Sequence, residues 1–192
     1  GCFATATQLA LYPLASRLEG VPASYAITGS SGSGAAPKRT THHPVRAHNL
    51  FAYALEGHRH EAEIAAQVTR WAGRPASYVL LPHSGPFVRG IHATIRARVA
   101  DPVADPLALY RAAYAGRPFV RVVDAPPELS AVVGTNFAHV HAVARDGGRE
   151  VIATCVRVPV PREWTARASA VATGRNARSP AEAGLRGITR SG

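Results

Sequence analysis

Methionine is absent from all 192 residues, and lysine occurs once, as Lys38. A chain that starts Gly1-Cys2 with no initiator is expected to be an N-terminally truncated piece of a longer polypeptide. No stretch approaches the roughly 20 consecutive apolar residues of a membrane span, and no charged-then-apolar leader resembles a signal peptide. These absences argue against a membrane partner and point to the cytoplasm. Cysteine occurs only as Cys2 and Cys155. Two thiols make no disulfide framework, so a reducing compartment is expected. Acidic side chains are scarce, 12 against 22 basic ones, for a net charge of +10. Yet no aromatic residues interleave with the basic ones, which argues against a nucleic-acid surface. No His-Glu-x-x-His is present, and no Gly-x-Gly-x-x-Gly follows a strand.

What is present is enough for a core: 46% of the residues are apolar. The basic residues other than Lys38 are all arginine. With abundant Ala, Gly and Pro, that bias reads as GC-rich coding sequence rather than special chemistry. Residues 157–192 hold seven arginines and two glutamates, so half the excess charge sits in the last fifth of the chain.

The pattern divides the chain into alternating elements. FATATQLALYPLASRLEG, residues 3–20, reads as a helix bent at Pro13 and closed by Gly20. SYAITG (24–29) is strand-like, and a Gly/Ser/Pro-rich loop follows. NLFAY is a short strand. HRHEAEIAAQVTRWAG is a helix with Ile64, Val68 and Trp71 at helical spacing and Gly73 as its stop. SYVLLPH is a buried strand. In FVRGIHATIRARV, residues Phe87, Ile91, Ile95 and Val99 lie four apart, which either a helix or a strand allows; β-branched content and flanking prolines favour a strand. DPLALYRAAYAG is a helix capped by Asp105 and ending at Gly116. PFVRVVD is a strand. FAHVHAVARDGGREVIATCVRV is a hairpin around Asp146-Gly147-Gly148, with His139 and His141 on one face. The sum is an α+β domain, a mixed sheet with helices on one face, over residues 1–156. Residues 157–192 are expected to be a divergent, poorly ordered Arg/Pro-rich tail.

The first turn of a helix has free backbone N–H groups and the positive end of its dipole, which favour an anionic sulfur. Cys2 before the first helix is therefore either a nucleophile or a packed structural thiol.

GCFATATQLALYP resembles the active-site signature of the N-acetyl-gamma-glutamyl-phosphate reductase family, with Gly1, Cys2, Phe3, Ala4, Thr5, Ala6, Ala10, Leu11 and Pro13 in register. TGSSGSGA resembles the family's Ser/Gly-rich loop beside the nicotinamide. YALEGHRHEAEI resembles its Gly-His-Arg-His block, with Ala62 in place of a proline. LLPHSGPFVRGIHATI, AYAGRPFVRV and VVGTNFAHV follow in the family's order, to about Val156. The residues beyond depart from the pattern, as a reading-frame slip would produce, although AEAGLRGI again resembles a family tail.

The resemblance implies a glyceraldehyde-3-phosphate-dehydrogenase-like C-terminal domain that lacks most of the Rossmann NADP-binding domain. It implies NADPH-dependent reduction of an acyl phosphate to a semialdehyde through a thioester on Cys2, with His58 as the proton donor. Tyr53, Arg59, Arg89 and Asn136 would bind the anionic substrate, with Arg121 a weaker candidate. Ser31, Gly32, Ser33 and Gly34 would lie against the cofactor. The chain alone is expected to be inactive. Two branches compete: an acetylated glutamyl phosphate in arginine biosynthesis, or an aminoadipyl phosphate held on an acidic amino-group carrier protein in lysine biosynthesis. GSSGSGA and THHPVRAHN resemble the second a little, and a basic surface would steer an acidic carrier. A homodimer or homotetramer is expected. Two other readings stand beside these. One is a non-catalytic dimerisation fragment. The other is a metal-dependent hydrolase built on His58, His60, His139 and His141. Against that hydrolase, residues i and i+2 on a helix diverge by about 200°, so His58 and His60 should chelate poorly and no metal is expected.

Overall fold

A computed structural model describes residues 1–158 except 34, 35, 37 and 40. Most of the tail expected over 157–192, and the expected cofactor contact Gly34, lie outside the described residues.

Helix α1 (Cys2–Leu11) buries Phe3, Ala4, Ala6, Thr7, Ala10 and Leu11. The small side chains let its axis lie close to the sheet, while Phe3 and Leu11 each contribute about 1.5–3 kcal/mol by burial. The helix does not run to Gly20. It gives way to a 3₁₀ stretch over Tyr12–Arg17, because Pro13 has no N–H and its ring crowds the preceding turn. Strand β1 (Leu18–Thr28) starts directly afterwards. Gly20 lies within it, where the register to the next strand shifts between Glu19 and Ala23.

The other elements are α2 (His43–Arg46), β2 (Phe51–Ala52), α3 (His60–Ala72), β3 (Val79–Ser84), β4 (Ile91–Val99), α4 (Pro106–Tyr114), β5 (Val120–Val122), β6 (Ala138–Arg145) and β7 (Glu150–Arg157). The sheet order is β2-β3-β1-β4-β7-β6-β5. β1–β3 and β5–β6 are parallel and the remaining pairs antiparallel, so the expected mixed sheet is present.

β4 settles the ambiguity of its sequence. Ile91, Ala93, Ile95, Ala97 and Val99 are all buried, every second residue, as a strand with one covered face requires. Val151, Ala153 and Cys155 of β7 and Val140 and Ala142 of β6 continue that layer. The helices pack on this face. Tyr110 and Tyr114 of α4 donate their hydroxyls to the Ala10 and Leu9 carbonyls of α1. α4 begins as expected, with Asp105 accepting from the Ala108 N–H at 3.0 Å, and α3 ends at Gly73 in the left-handed conformation. β3 is not the buried strand expected: Leu80 faces the helices, but Val79 and Leu81 point to the opposite face. There, with Tyr25 and Val143, they are 37–43% exposed. No helix among the described residues is long and apolar enough to cross a membrane.

Candidate active site

The site forms where the N-terminal ends of α1 and α3 meet. Cys2 is the first residue of α1. A Cβ on Gly1 would stand 2.1 Å from His60 Nε2, so glycine before the cysteine leaves the His60 ring its place between the two helix starts. The His60 ring also packs edge-on to Phe3, at 6.2 Å between centroids.

His58 and His60 do not diverge. Only His60 is in the helix; His58 precedes it, and the two rings lie 4.6 Å apart. The His60 backbone N–H donates to His58 Nδ1 at 3.1 Å. That bond assigns the lone pair to Nδ1 and leaves the proton of the neutral ring on Nε2. Phe3 and Tyr53 meet the His58 ring edge-on at 5.8 and 5.9 Å. Burial, then the Arg59 charge, lowers the His58 pKa from its ordinary value. Burial, then His58, pushes His60 down to about 4. Both imidazoles are therefore neutral near pH 7. Although the two rings meet, no group of three or more metal-ligating side chains gathers among the described residues. His139 and His141 share one face of β6 as expected; it is the face turned away from the helices, where His141 Nδ1 meets the Val123 carbonyl at 2.9 Å.

Cys2, Tyr53, His58 and Arg59 line one cavity of about 300 Å³, with exposed Gly32 and Ser33 lining it too. Tyr53 follows β2 and donates its N–H to the Pro82 carbonyl at 3.1 Å. Burial, and next the charge of Cys2, pushes its phenol up to about 12. The loop carrying Ser31–Ser33 is tied to the β3–β4 turn: the Gly29, Ser30 and Ser31 amides donate to the Gly90, Phe87 and Val88 carbonyls at 2.9–3.0 Å. A Cβ on Gly29 would come within 2.6 Å of the Val88 oxygen, so glycine is what lets these backbones approach.

Other expected residues are not gathered. Arg89 is exposed on the β3–β4 turn, Asn136 is exposed before β6, Ser31 is exposed on its loop, and none of the three lines the cavity. Arg121, on β5, instead stacks its guanidinium 3.6 Å over the ring of Phe137, the residue before β6.

Three residues were missed. Lys38 and Arg46 line the cavity. Arg157, assigned to the tail by sequence, is the last residue of β7, on the face that carries Cys155. Burial lowers its pKa, opposed by the charges of Cys155 and Cys2. For Arg46 a signal was available in THHPVRAHN, where a proline can open a short helix inside the loop.

A family model described as "Semialdehyde dehydrogenase, dimerisation domain" matches residues 2–157, and the chain belongs to that family. Among its relatives are proteins named N-acetyl-gamma-glutamyl-phosphate reductase. The one from Wolinella succinogenes is 37% identical over 153 residues, 79% of this chain and 44% of the relative. The one from Azotobacter vinelandii is 38% identical over 164 residues, 81% of this chain and 47% of the relative. The chain thus spans about half the length of the curated relatives it matches. Solved structures agree on the fold. A probable aspartate-semialdehyde dehydrogenase from Pseudomonas aeruginosa has a TM-score of 0.61 at 19% identity, covering 81% of this chain and 55% of that one. Aspartate semialdehyde dehydrogenase II from Vibrio cholerae has a TM-score of 0.62 at 11% identity, covering 82% and 55%.

Proposed function

We propose that this chain supplies the nucleophile-bearing domain of an enzyme that reduces N-acetyl-gamma-glutamyl phosphate to N-acetylglutamate semialdehyde, in cytoplasmic arginine biosynthesis. One observation carries the reading: Cys2, at the start of a helix, shares a cavity with His58 and Arg59, next to relatives named for that reaction.

The Cys2 sulfur, as thiolate, attacks the acyl carbon; the S–C bond forms, the C–O bond to phosphate breaks, and the acyl group is held as a thioester. NADPH, when bound, supplies the hydride for the reduction. Ser31, Gly32 and Ser33 would hold its nicotinamide end. The fit is supported by their place on the cavity loop and by the lack of room beside Gly32, where a Cβ would meet Thr28 Oγ1 at 2.9 Å. His58 in its imidazolium form donates a proton from Nε2 to the carbonyl oxygen as the acyl group on Cys2 is reduced, and takes it back when the aldehyde leaves the sulfur. Arg59 binds a substrate anion, and Tyr53 orients His58 or the substrate. Arg89 and Asn136 would serve only if the substrate reaches beyond the cavity. On this reading Ser31–Gly34 hold only one end of the cofactor, and the chain alone does not turn over NADPH. The test is turnover of the full-length protein with Cys2→Ser, expected to be lost; full activity there would sink the assignment.

A second reading has the acyl phosphate carried on an acidic carrier protein, as in lysine biosynthesis. It is supported by a basic cluster of Lys38, Arg39 and His42 around a second, open pocket, with Lys38 shared between that pocket and the cavity. Turnover with free against carrier-bound acyl phosphate separates the two. We further propose that a second copy covers the half-exposed Tyr25, Val79, Leu81 and Val143 of the sheet. The homodimer or homotetramer expected is checked by sedimentation.

A further inference from the structure

Arg46 is the largest fully buried side chain among the described residues, 1% exposed. A buried guanidinium needs compensation, because stripping water from a charge is costly. It finds only part of it. Nη2 donates to the Thr28 carbonyl at 2.6 Å and Nη1 to Ser33 Oγ at 3.1 Å. Among the described residues Nε has no partner, and no carboxylate pairs with Arg46. Burial lowers its pKa, though a guanidinium stays charged at any working pH.

The side chain lines the cavity that holds Cys2 and His58, together with Lys38 and Arg59, and no aspartate or glutamate among the described residues lines that cavity. Three cations therefore face one space with no carboxylate among the described residues to balance them. Lys38 and Arg59 are exposed, so water can solvate them; Arg46 cannot be solvated in that way. Its fork has five N–H groups, and the two bonds above leave three for a ligand.

We infer that Arg46 is the anion anchor of the cavity, receiving a two-oxygen anionic group of the substrate, carboxylate or phosphoryl, on its free N–H groups. The inference deepens the proposed function and rests on it. The two fixed bonds hold the fork still, so little entropy is lost when the anion arrives. They also link the anion to the loop of Ser31–Ser33 through the Ser33 hydroxyl, so Arg46 positions substrate and loop together.

The test uses the 192-residue chain and needs no turnover. Cys2 is alkylated with iodoacetamide at constant ionic strength, and the modified peptide is measured by mass. Inorganic phosphate and N-acetyl-L-glutamate are the protecting probes. Both are expected to slow alkylation of the wild type. Arg46→Gln is expected to raise the half-protecting concentration at least tenfold for the anion that Arg46 holds, so the affected probe tells phosphoryl from carboxylate. Arg46→Lys is expected to raise it several-fold, since charge without the fork is a poorer match. Unchanged protection in Arg46→Gln, or no protection of the wild type by either anion, overturns the inference. A merely structural arginine would lower the melting temperature of the variants and leave protection alone. Should Arg46→Gln fail to fold, wild-type protection in Arg46→Lys overturns the proposal. Loss of turnover in the full-length Cys2→Ser enzyme is a separate result, so failure of the anchor and failure of the function are told apart.

Discussion

Cys2 and Cys155 touch the same hydrophobic layer from opposite sides of a boundary. Cys2 is half-buried, packs one side against the core and turns the other to the cavity. Cys155 lies within β7, opposite Ala93 and Val140 in the neighbouring strands, with none of its surface exposed. Burial pushes its thiol up to about 12, so it is protonated and inert at ordinary pH. The two thiols are chemically identical, and they differ in whether the element carrying them ends at that point. A helix start leaves backbone N–H groups and an open approach; the middle of a central strand leaves neither.

The comparison breaks most visibly in turnover. In the full-length enzyme Cys2→Ser should lower kcat by on the order of 10⁴, as loss of a nucleophile does, while Cys155→Ala leaves it near wild type. Steady-state NADPH oxidation decides, and a Cys155 variant with the larger loss would reverse the assignment. His58→Gln should cost about 10²-fold or more, with the effect in kcat and little change in substrate KM. In the folded chain, iodoacetamide should modify Cys2 at least about a hundredfold faster than Cys155, and denaturant should equalise them; peptide mass spectrometry reads both rates. Cys155→Ser should destabilise the domain by about 1–3 kcal/mol, the cost of an unpaired buried hydroxyl, measured by chemical unfolding.

Acid sensitivity is expected at the pocket end. His60 is held at about 4, below its ordinary 6.5. As pH falls below 6.5 the unfolded chain takes up this proton first, so stability is full above that value and declines toward pH 4. His58 shifts the same way. A decline of up to about 3 kcal/mol is expected over that window. Melting curves of wild type and His60→Phe should diverge there, and parallel curves would assign the acid sensitivity elsewhere.

Much of this was legible because it is local. The hairpin at Asp146–Gly148, the Asp105 cap and the Gly73 stop each depend on neighbours within a turn. The misreadings share a cause. The helix expected to reach Gly20 ended at Leu11, because Pro13 forced a 3₁₀ stretch. SYVLLPH looked buried throughout, but one face of β3 was left uncovered by any helix. His58 and His60 looked divergent only if both were placed in the helix. Arg89 and Asn136 match family blocks; the fold sets them on exposed turns that do not line the cavity, and their role in substrate binding stays a proposal.

The amino-acid sequence alone determined the α+β layering and the placing of a cysteine at a helix start. These follow from backbone sterics and side-chain periodicity over a few residues. The tertiary structure decided which cations surround that cysteine. Lys38, Arg46 and Arg59 come from segments separated from Cys2 in the chain, and only the order of strands β2, β3 and β1, with α1 and α3 packed above them, brings them to one cavity. No local pattern encodes that distance, because it is set by long-range pairing across the sheet.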